Sequence, residues 1–425
     1  MKTIIKNGMV ISMDSSRDKY TYEDVVISDD KIIYVGNDYE GEYDNEIDAS
    51  GKIVMPGLIN CHTHLGMSLF RATNDNYTLD KWLNEYIWPI EDKMTDEDIY
   101  YTTLVSVIEM IKTGTTCFND MYFNYKGSFK AFDQVGIRGI YGRCLIGNMD
   151  SDGINKFNEF KDLYNSNDNE LIKLSIAPHS LYTTDINYLL ECEKLASEYK
   201  LPIHIHLSED NREVKTVTSK YNMLPVEVLD KVGMLKHKLI LAHGTFISDK
   251  ELDMLKGCDV SICTNPISNL NLGCGIADIT KYKNYGINIC LGTDGVGSCN
   301  SMNMFYSMSM LDNLQKAKYE DPTIMDSYEV LKCATINGAK ALGMENDIGS
   351  IEVGKKADII IVDINNIEMY PCVDPIVALV HNGWYNGVDT TIINGNILVK
   401  NKKLQLDIDI ENIKNEIDKI RRRLM

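Results

Sequence analysis

Val54-Met55-Pro56-Gly57-Leu58-Ile59-Asn60-Cys61-His62-Thr63-His64 is an apolar, strand-like run that ends in two histidines one residue apart. Side chains at i and i+2 leave a strand on the same face, so His62 and His64 are directed at one point. Two imidazoles converging at a strand end are half of a divalent metal site. Two satisfied core histidines would give the same run, and the rest of the chain decides between the readings.

Seven further strand-like segments follow, at 115–120, 138–146, 171–178, 201–207, 238–243, 258–264 and 287–293; with 53–60 they make eight. Helical patterns fill the gaps at 96–112 (behind Thr95), 125–135, 154–165, 185–199, 222–232, 248–256, 277–284 and 300–318. This alternation is the pattern of a (β/α)8 TIM barrel. A helix near 326–341 leads out of it.

The flanks use a different grammar. Thr3-Ile4-Ile5 meets Asn7-Gly8 and then Met9-Val10-Ile11, and Val25-Val26-Ile27 meets Asp29-Asp30 and then Ile32-Ile33-Tyr34-Val35. Near the other end Thr391-Ile392-Ile393 meets Asn394-Gly395 and then Asn396-Ile397-Leu398-Val399. Asn-Gly between apolar runs is a strong hairpin signal. Each flank alone is too small to bury a core. We expect 1–55 and 346–425 to pair into a composite, β-sandwich-like domain around a barrel spanning 56–345. The 405–425 tail reads as a charged surface helix ending in Arg421-Arg422-Arg423.

Barrel active sites lie at the C-terminal ends of the strands, so chemistry-bearing residues should gather there. Strand 1 ends in His62 and His64, and strand 4 in His179. Strand 5 delivers His206 and Glu209, strand 6 ends in His243, and strand 8 runs into Asp294. Of the 8 histidines in the chain, only His204, His237 and His381 fall elsewhere. His204 lies deeper in strand 5 and reads as a structural core residue. Three imidazoles and a carboxylate suit a divalent ion such as Zn²⁺ with a position open for water. Strand 4 carries no lysine that could bridge two ions, so one ion per chain is expected.

Lys plus Arg number 43 against 62 Asp plus Glu, a net charge of −19. So acidic a chain repels nucleic acid and anionic membrane surfaces. No apolar run approaches the ~18 residues of a membrane span. The opening residues lack the apolar core of a signal peptide. The 11 cysteines, an odd number with no Cys-x-x-Cys pair, read as free thiols of a reducing compartment. The expected location is cytoplasmic. A homo-oligomer is compatible with all of this.

Pro56-Gly57-Leu58-Ile59-Asn60-Cys61-His62-Thr63-His64, Trp82-Leu83 with Trp88-Pro89-Ile90-Glu91, His206-Leu207-Ser208-Glu209, Asn265-Pro266-Ile267-Ser268-Asn269 and Gly292-Thr293-Asp294-Gly295 come in one order. That ordered set resembles the amidohydrolase superfamily, in its nucleobase-deaminase and triazine-hydrolase branch. Within it the chain is most similar to the 5′-methylthioadenosine/S-adenosylhomocysteine deaminases. The resemblance covers essentially the whole chain, split β domain included. It implies metal ligation by His62, His64, His206 and Asp294, Zn²⁺ or another divalent ion such as Fe²⁺ being the metal. It implies a purine nucleoside as substrate, contacted by Glu91, Arg143, His179, Glu209 and Asp294. Glu91 would hold ribose hydroxyls and His179 a purine ring nitrogen. The chain departs from the pattern once. Some members carry a second arginine soon after the first, for the homocysteine carboxylate, whereas Gly147-Asn148-Met149-Asp150-Ser151-Asp152-Gly153 has none. S-adenosylhomocysteine is therefore expected to be no better a substrate than 5′-methylthioadenosine.

Hydrolytic deamination needs a hydroxide, a proton for the ring and a protonated leaving amine. A divalent ion lowers the pKa of its water to ~7. Asp294 is the group to take that water's proton, and Glu209 to protonate ring nitrogen 1. His243 is expected to hydrogen-bond the water. Trp82 and Trp88 read as apolar walls, and Asn265 and Asn269 as structural. The rivals are a guanine or oxidised-guanine deaminase and an s-triazine aminohydrolase. A non-enzymatic scaffold predicts gaps in the ligand set, and there are none. A dinucleotide-binding fold finds only Gly273-Cys274-Gly275 in its favour, too little for the motif.

Overall fold

The computed structural model describes residues 1–73, 76–385 and 387–425. Eight parallel strands, Leu58–Thr63, Thr115–Tyr122, Arg138–Leu145, Ile172–Pro178, Ile203–Leu207, Leu239–His243, Val260–Thr264 and Asn288–Leu291, pair in chain order. Helices connect them. The sheet closes on itself where strand 8 meets strand 1. There the Asp294 N–H donates to the His62 carbonyl at 2.9 Å. The Asn60 amide brackets Thr293, donating to its hydroxyl at 2.7 Å and accepting from its backbone N–H at 3.0 Å. The molecule is a (β/α)8 barrel.

The segment expected as one strand at 53–60 is two. Lys52–Pro56 pairs antiparallel with Ile359–Asp363 in the β domain, and the barrel begins only at Leu58. Between them Gly57 donates its N–H to the Asp358 carbonyl at 3.0 Å. A Cβ at Gly57 would lie 2.0 Å from the Thr116 hydroxyl, so only glycine lets the chain cross between domains here.

Both ends of the chain build the β domain. One sheet orders Lys31–Gly36, Asp24–Ser28, Lys2–Lys6 and Asn45–Asp48. The other orders Lys403–Leu404, Asn396–Lys400, Val388–Ile393, Ile359–Asp363, Lys52–Pro56, Met9–Val10 and Thr21–Tyr22. Ile5, Val25, Ile27, Val54, Ile359, Ile361 and Ile392 are buried together in its core. Asn394-Gly395 is the expected hairpin turn, with φ of 50° and 78°. Asn7-Gly8 is not. It passes the chain from the first sheet to the second, because Lys2–Lys6 pairs with Asp24–Ser28 and Asn45–Asp48 instead of Met9–Val10.

Thr95 caps Asp96–Lys112 and Ser248 caps Asp249–Leu255, each through a capping box with the acid at the third helical position. Two helices, Asn211–Tyr221 and Pro225–Lys231, follow strand 5; the second is the helix expected at 222–232, and the first was not expected. Asp210 caps the first by accepting the Glu213 N–H, and Asn222, at φ 52°, ends it in the left-handed region. The helix near 326–341 is broken at Thr335, giving Ser327–Cys333 and Ile336–Ala341. The tail helix, Ile410–Leu424, buries Ile413 and Ile420 and pairs Arg423 with Asp98 of Asp96–Lys112. All 11 cysteines are free. No helix among the described residues is long and apolar enough to cross a membrane.

Candidate active site

The strand ends bring five donors to one point at the C-terminal mouth of the barrel. His62, His64 and Asp294 have ligand atoms within 4.8 Å of one another, and so do His62, His206 and His243. The His64 and His206 Nε2 atoms are 3.2 Å apart. Asp294 Oδ1 lies 3.2 Å from His64 Nε2 and 3.4 Å from His62 Nε2. Three non-glycine residues at these strand ends hold the left-handed backbone region: Ser208 at φ 52°, His243 at 72° and Asp294 at 70°. Conformations of this kind persist where the surrounding packing over-determines them, most often at functional sites.

The outer nitrogen of each ligand ring is committed. His64 Nδ1 donates to the Met121 carbonyl at 2.6 Å, and His206 Nδ1 to the His179 carbonyl at 2.7 Å. A carbonyl only accepts, so these rings carry a proton on Nδ1, which leaves Nε2 of the neutral ring as the inward-facing ligand atom. His62 Nδ1 meets His204 Nε2 at 2.9 Å, and its own Nε2 is buried with no partner. Bare imidazole nitrogens 3.2 Å apart, beside a carboxylate, repel through their lone pairs unless a cation lies between them. The donor set therefore fits a divalent ion. Where the His62 and His64 rings carry a proton toward Asp294 in place of an ion, they hold its carboxyl well below the usual range against its burial.

The pocket over this cluster is lined by His179, Glu209, Glu91, Met121, Tyr122, Phe123 and Tyr182, and by Leu79, Trp82, Leu83, Ile87 and Trp88 from the segment after strand 1. Those apolar walls leave about 50 Å³ of free space, so substrate entry requires them to give way. Glu209 Oε1 is 3.7 Å from His243 Nε2, and burial raises its carboxyl while His243 opposes the rise. Burial pushes Glu91 up to about 7 against the hydroxyl of Tyr122, which donates to it at 2.7 Å. The His179 ring is turned by Thr183, whose hydroxyl lies 2.9 Å from Nδ1, and stands edge-on to Trp88.

Arg143 is not in this pocket. It lines an adjoining groove of about 700 Å³ reached past Trp88, Glu91 and Phe123, and it is paired with Glu159 at 2.6 Å. Lys156 lines the same groove.

Sequence reasoning missed the groups behind the site. Asp120, at the end of strand 2, accepts the Leu65 N–H at 2.8 Å and the Thr63 hydroxyl at 2.9 Å, fixing the turn after His64. The strand-end rule that picked out the histidines points to it as well. Ser268 and Ser298 donate to Asp294 Oδ2 at 2.6 and 3.0 Å. Asn269, read as structural, accepts from His243 Nδ1 at 2.8 Å. Asn265 makes no side-chain cap. His204, read as core, touches a ligand.

A family model described as "Amidohydrolase family" matches residues 53–398. The 5-methylthioadenosine/S-adenosylhomocysteine deaminase of Thermoanaerobacter pseudethanolicus is 41% identical over 99% of this chain and 98% of that protein. The 5′-deoxyadenosine deaminase of Methanosphaera stadtmanae is 38% identical over 94% of each. Among solved structures, an adenosine deaminase from Xanthomonas campestris with bound zinc superposes with a TM-score of 0.94 at 29% identity, covering 99% of this chain and 98% of that one. A barrel with its composite β domain, a histidine-rich centre fit for a divalent ion, and a match along nearly the whole length lead to one conclusion: the chain belongs to the amidohydrolase family.

Proposed function

We propose that the protein is a metal-dependent hydrolytic deaminase of adenosine-type nucleosides, converting 5′-methylthioadenosine, S-adenosylhomocysteine or adenosine to the inosyl product and ammonia. The observation that carries this reading is one pocket holding an ion-sized donor cluster, a buried acid beside it in Glu209, and a half-buried carboxyl in Glu91. The names of the relatives, two of them deaminases of 5′-substituted adenosines, point the same way.

His62, His64, His206 and Asp294 would hold the ion, for which Zn²⁺, one per chain, is our assignment. Bound there, a divalent ion supplies Lewis acidity and a nucleophile at neutral pH. Glu209, whose carboxyl burial raises, would place a proton on ring nitrogen 1 as carbon 6 is attacked. Asp294 receives the proton of the attacking water and passes it to the leaving ammonia. His243 Nε2 accepts a hydrogen bond from that water. His179 faces the purine, and Glu91 accepts the ribose hydroxyls.

The groove beside the pocket suits the 5′ substituent. Arg143 and Lys156 keep their side chains largely covered, 8% and 17% exposed, while their partners Glu159 and Asp152 are 49% and 74% exposed. An incoming carboxylate can replace those exposed partners. Lys156 thus offers the second cation that the sequence lacks as arginine.

Steady-state deamination across 5′-methylthioadenosine, S-adenosylhomocysteine, 5′-deoxyadenosine, adenosine, adenine, guanine and a chloro-s-triazine tests the assignment. A site built to bond a hydroxyl rejects analogues without it by up to ~10⁴-fold, so the nucleosides should lead. Faster turnover of guanine or the triazine would move the protein to a rival activity.

A further inference from the structure

The motif Asn265-Pro266-Ile267-Ser268-Asn269 follows strand 7 directly, and its side chains reach residues at the ends of strands 6 and 8. Pro266 opens the short helix Pro266–Asn271 after strand 7. Its fixed φ and missing N–H suit a first helical position. The turn then sets Ser268 and Asn269 side by side. Ser268 donates to Asp294 Oδ2 at 2.6 Å, while Asn269 Oδ1 accepts from His243 Nδ1 at 2.8 Å. All four side chains are buried. Asn269 is anchored at both backbone ends, its N–H to the Asn265 carbonyl at 2.9 Å and its carbonyl to the Cys274 N–H at 2.7 Å. Such a side chain has little freedom to turn away.

The chemistry of these two bonds is directional. A neutral imidazole has one N–H and one lone pair, and the partner of one nitrogen decides which is which. With Nδ1–H given to Asn269, His243 Nε2 is left bare. That atom faces Glu209 Oε1 at 3.7 Å and lies within 4.8 Å of the His62 and His206 donors. Ser268 does the parallel work on Asp294. With Ser298 it occupies Oδ2, so Oδ1 alone is presented to His62 and His64.

We propose that Ser268 and Asn269 are positioning residues for the proposed deamination. One helical turn sets the tautomer of His243 and the presenting oxygen of Asp294, so that both proton acceptors face the attacking water together. The proposal rests on the deaminase reading for its kinetic part and stands apart from it for its structural part. If Asn269 only filled space, the His243 ring would be free to carry its proton on Nε2, where it repels a water's hydrogen.

The test combines ring ¹⁵N NMR of histidine-labelled metal-loaded protein, metal content and kinetics on Asn269→Leu, Asn269→Asp and Ser268→Ala. The wild-type spectrum, read without substrate, should show His243 protonated on Nδ1. Protonation on Nε2 overturns the proposal even if every variant fails to fold. Asn269→Leu should keep the ion, shift His243 towards the Nε2–H form and lose about 10²-fold in kcat with little change in KM, as for removal of one oriented active-site group. Asn269→Asp retains an acceptor and should keep the Nδ1–H form with a smaller loss. Ser268→Ala should lower kcat without releasing the ion. Equal losses for Leu and Asp with an unchanged His243 spectrum would reduce Asn269 to a packing role. A wild-type protein inactive on every nucleoside would instead defeat the deaminase assignment and leave the tautomer result standing.

Discussion

His204 stands directly behind His62, its Nε2 2.9 Å from the His62 Nδ1, and both rings are fully buried. If His62 binds an ion through its unpartnered Nε2, its Nδ1–H has only His204 to accept it. Partners of this kind orient a ligand ring and raise its basicity, and losing one costs 10–100-fold in metal affinity. His204→Phe, similar in shape and without an acceptor, should weaken the ion about 10-fold or more in competition with a chromophoric chelator, with the far-ultraviolet dichroism unchanged. An affinity within threefold of wild type would make His204 a space-filler.

Purified protein should carry one divalent ion per chain by elemental analysis. Asp294→Ala and His206→Ala should lose both the ion and turnover. Glu209→Gln should keep the ion and lose at least ~10²-fold in kcat, since the amide has no proton for the ring. Two ions per chain, or a fully active Gln variant, would contradict the roles assigned here.

Glu213 accepts the Glu209 N–H at 2.8 Å and is 1% exposed. Burial pushes its carboxyl up to about 8 from an ordinary 4.5, against the pull of that N–H. Between those values the folded chain keeps a proton the unfolded chain has released. The stability this group contributes is full below the unfolded value and falls as pH rises through the folded one, at about 1.4 kcal/mol per pH unit. Glu213→Gln removes that slope. Urea unfolding at several pH values across the window should show the variant gaining on wild type as pH increases; parallel curves would mean that Glu213 titrates as an ordinary carboxylate.

Lys156→Met should lower kcat/KM for S-adenosylhomocysteine about 10-fold relative to that for 5′-deoxyadenosine, the loss of one charge-assisted hydrogen bond. Equal effects on both substrates would remove Lys156 from the tail-binding groove.

The barrel was legible because each element carried a local signal. Thr95 announced its helix, and strands 1, 4, 5 and 6 ended in histidines. What escaped was set by tertiary contact. Gly57 divides a continuous apolar run because Ile359–Asp363 claims its first half. Asn7-Gly8 has hairpin chemistry, but its flanking strands find other partners. Asn211–Tyr221 is rich in β-branched and polar residues and is a helix through the Asp210 cap and its packing. In the site, the chemistry-bearing residue types and the strand ends that carry them were readable. The partners of those ligands were not, since a histidine facing a metal and one facing another histidine look alike in sequence. His204 and Asn269 needed coordinates, as did the discovery that Arg143 faces a neighbouring groove.

The seam between strands 1 and 8 has a consequence for how the protein matures. Contacts between Asn60 and Thr293 join the two ends of the barrel's chain, the type of pairing whose loop entropy is repaid last. The proposed ligands stand on both sides of that seam, His62 and His64 on one and Asp294 on the other. An unclosed barrel would own only part of the proposed ligand set, so ion binding would favour the completed ring by mass action. With the proposed ion bound across this joint, metal supply would act as a checkpoint on assembly. A cell short of the ion would hold more chains ajar at this joint, exposed to proteolysis, and would lose protein as well as turnover.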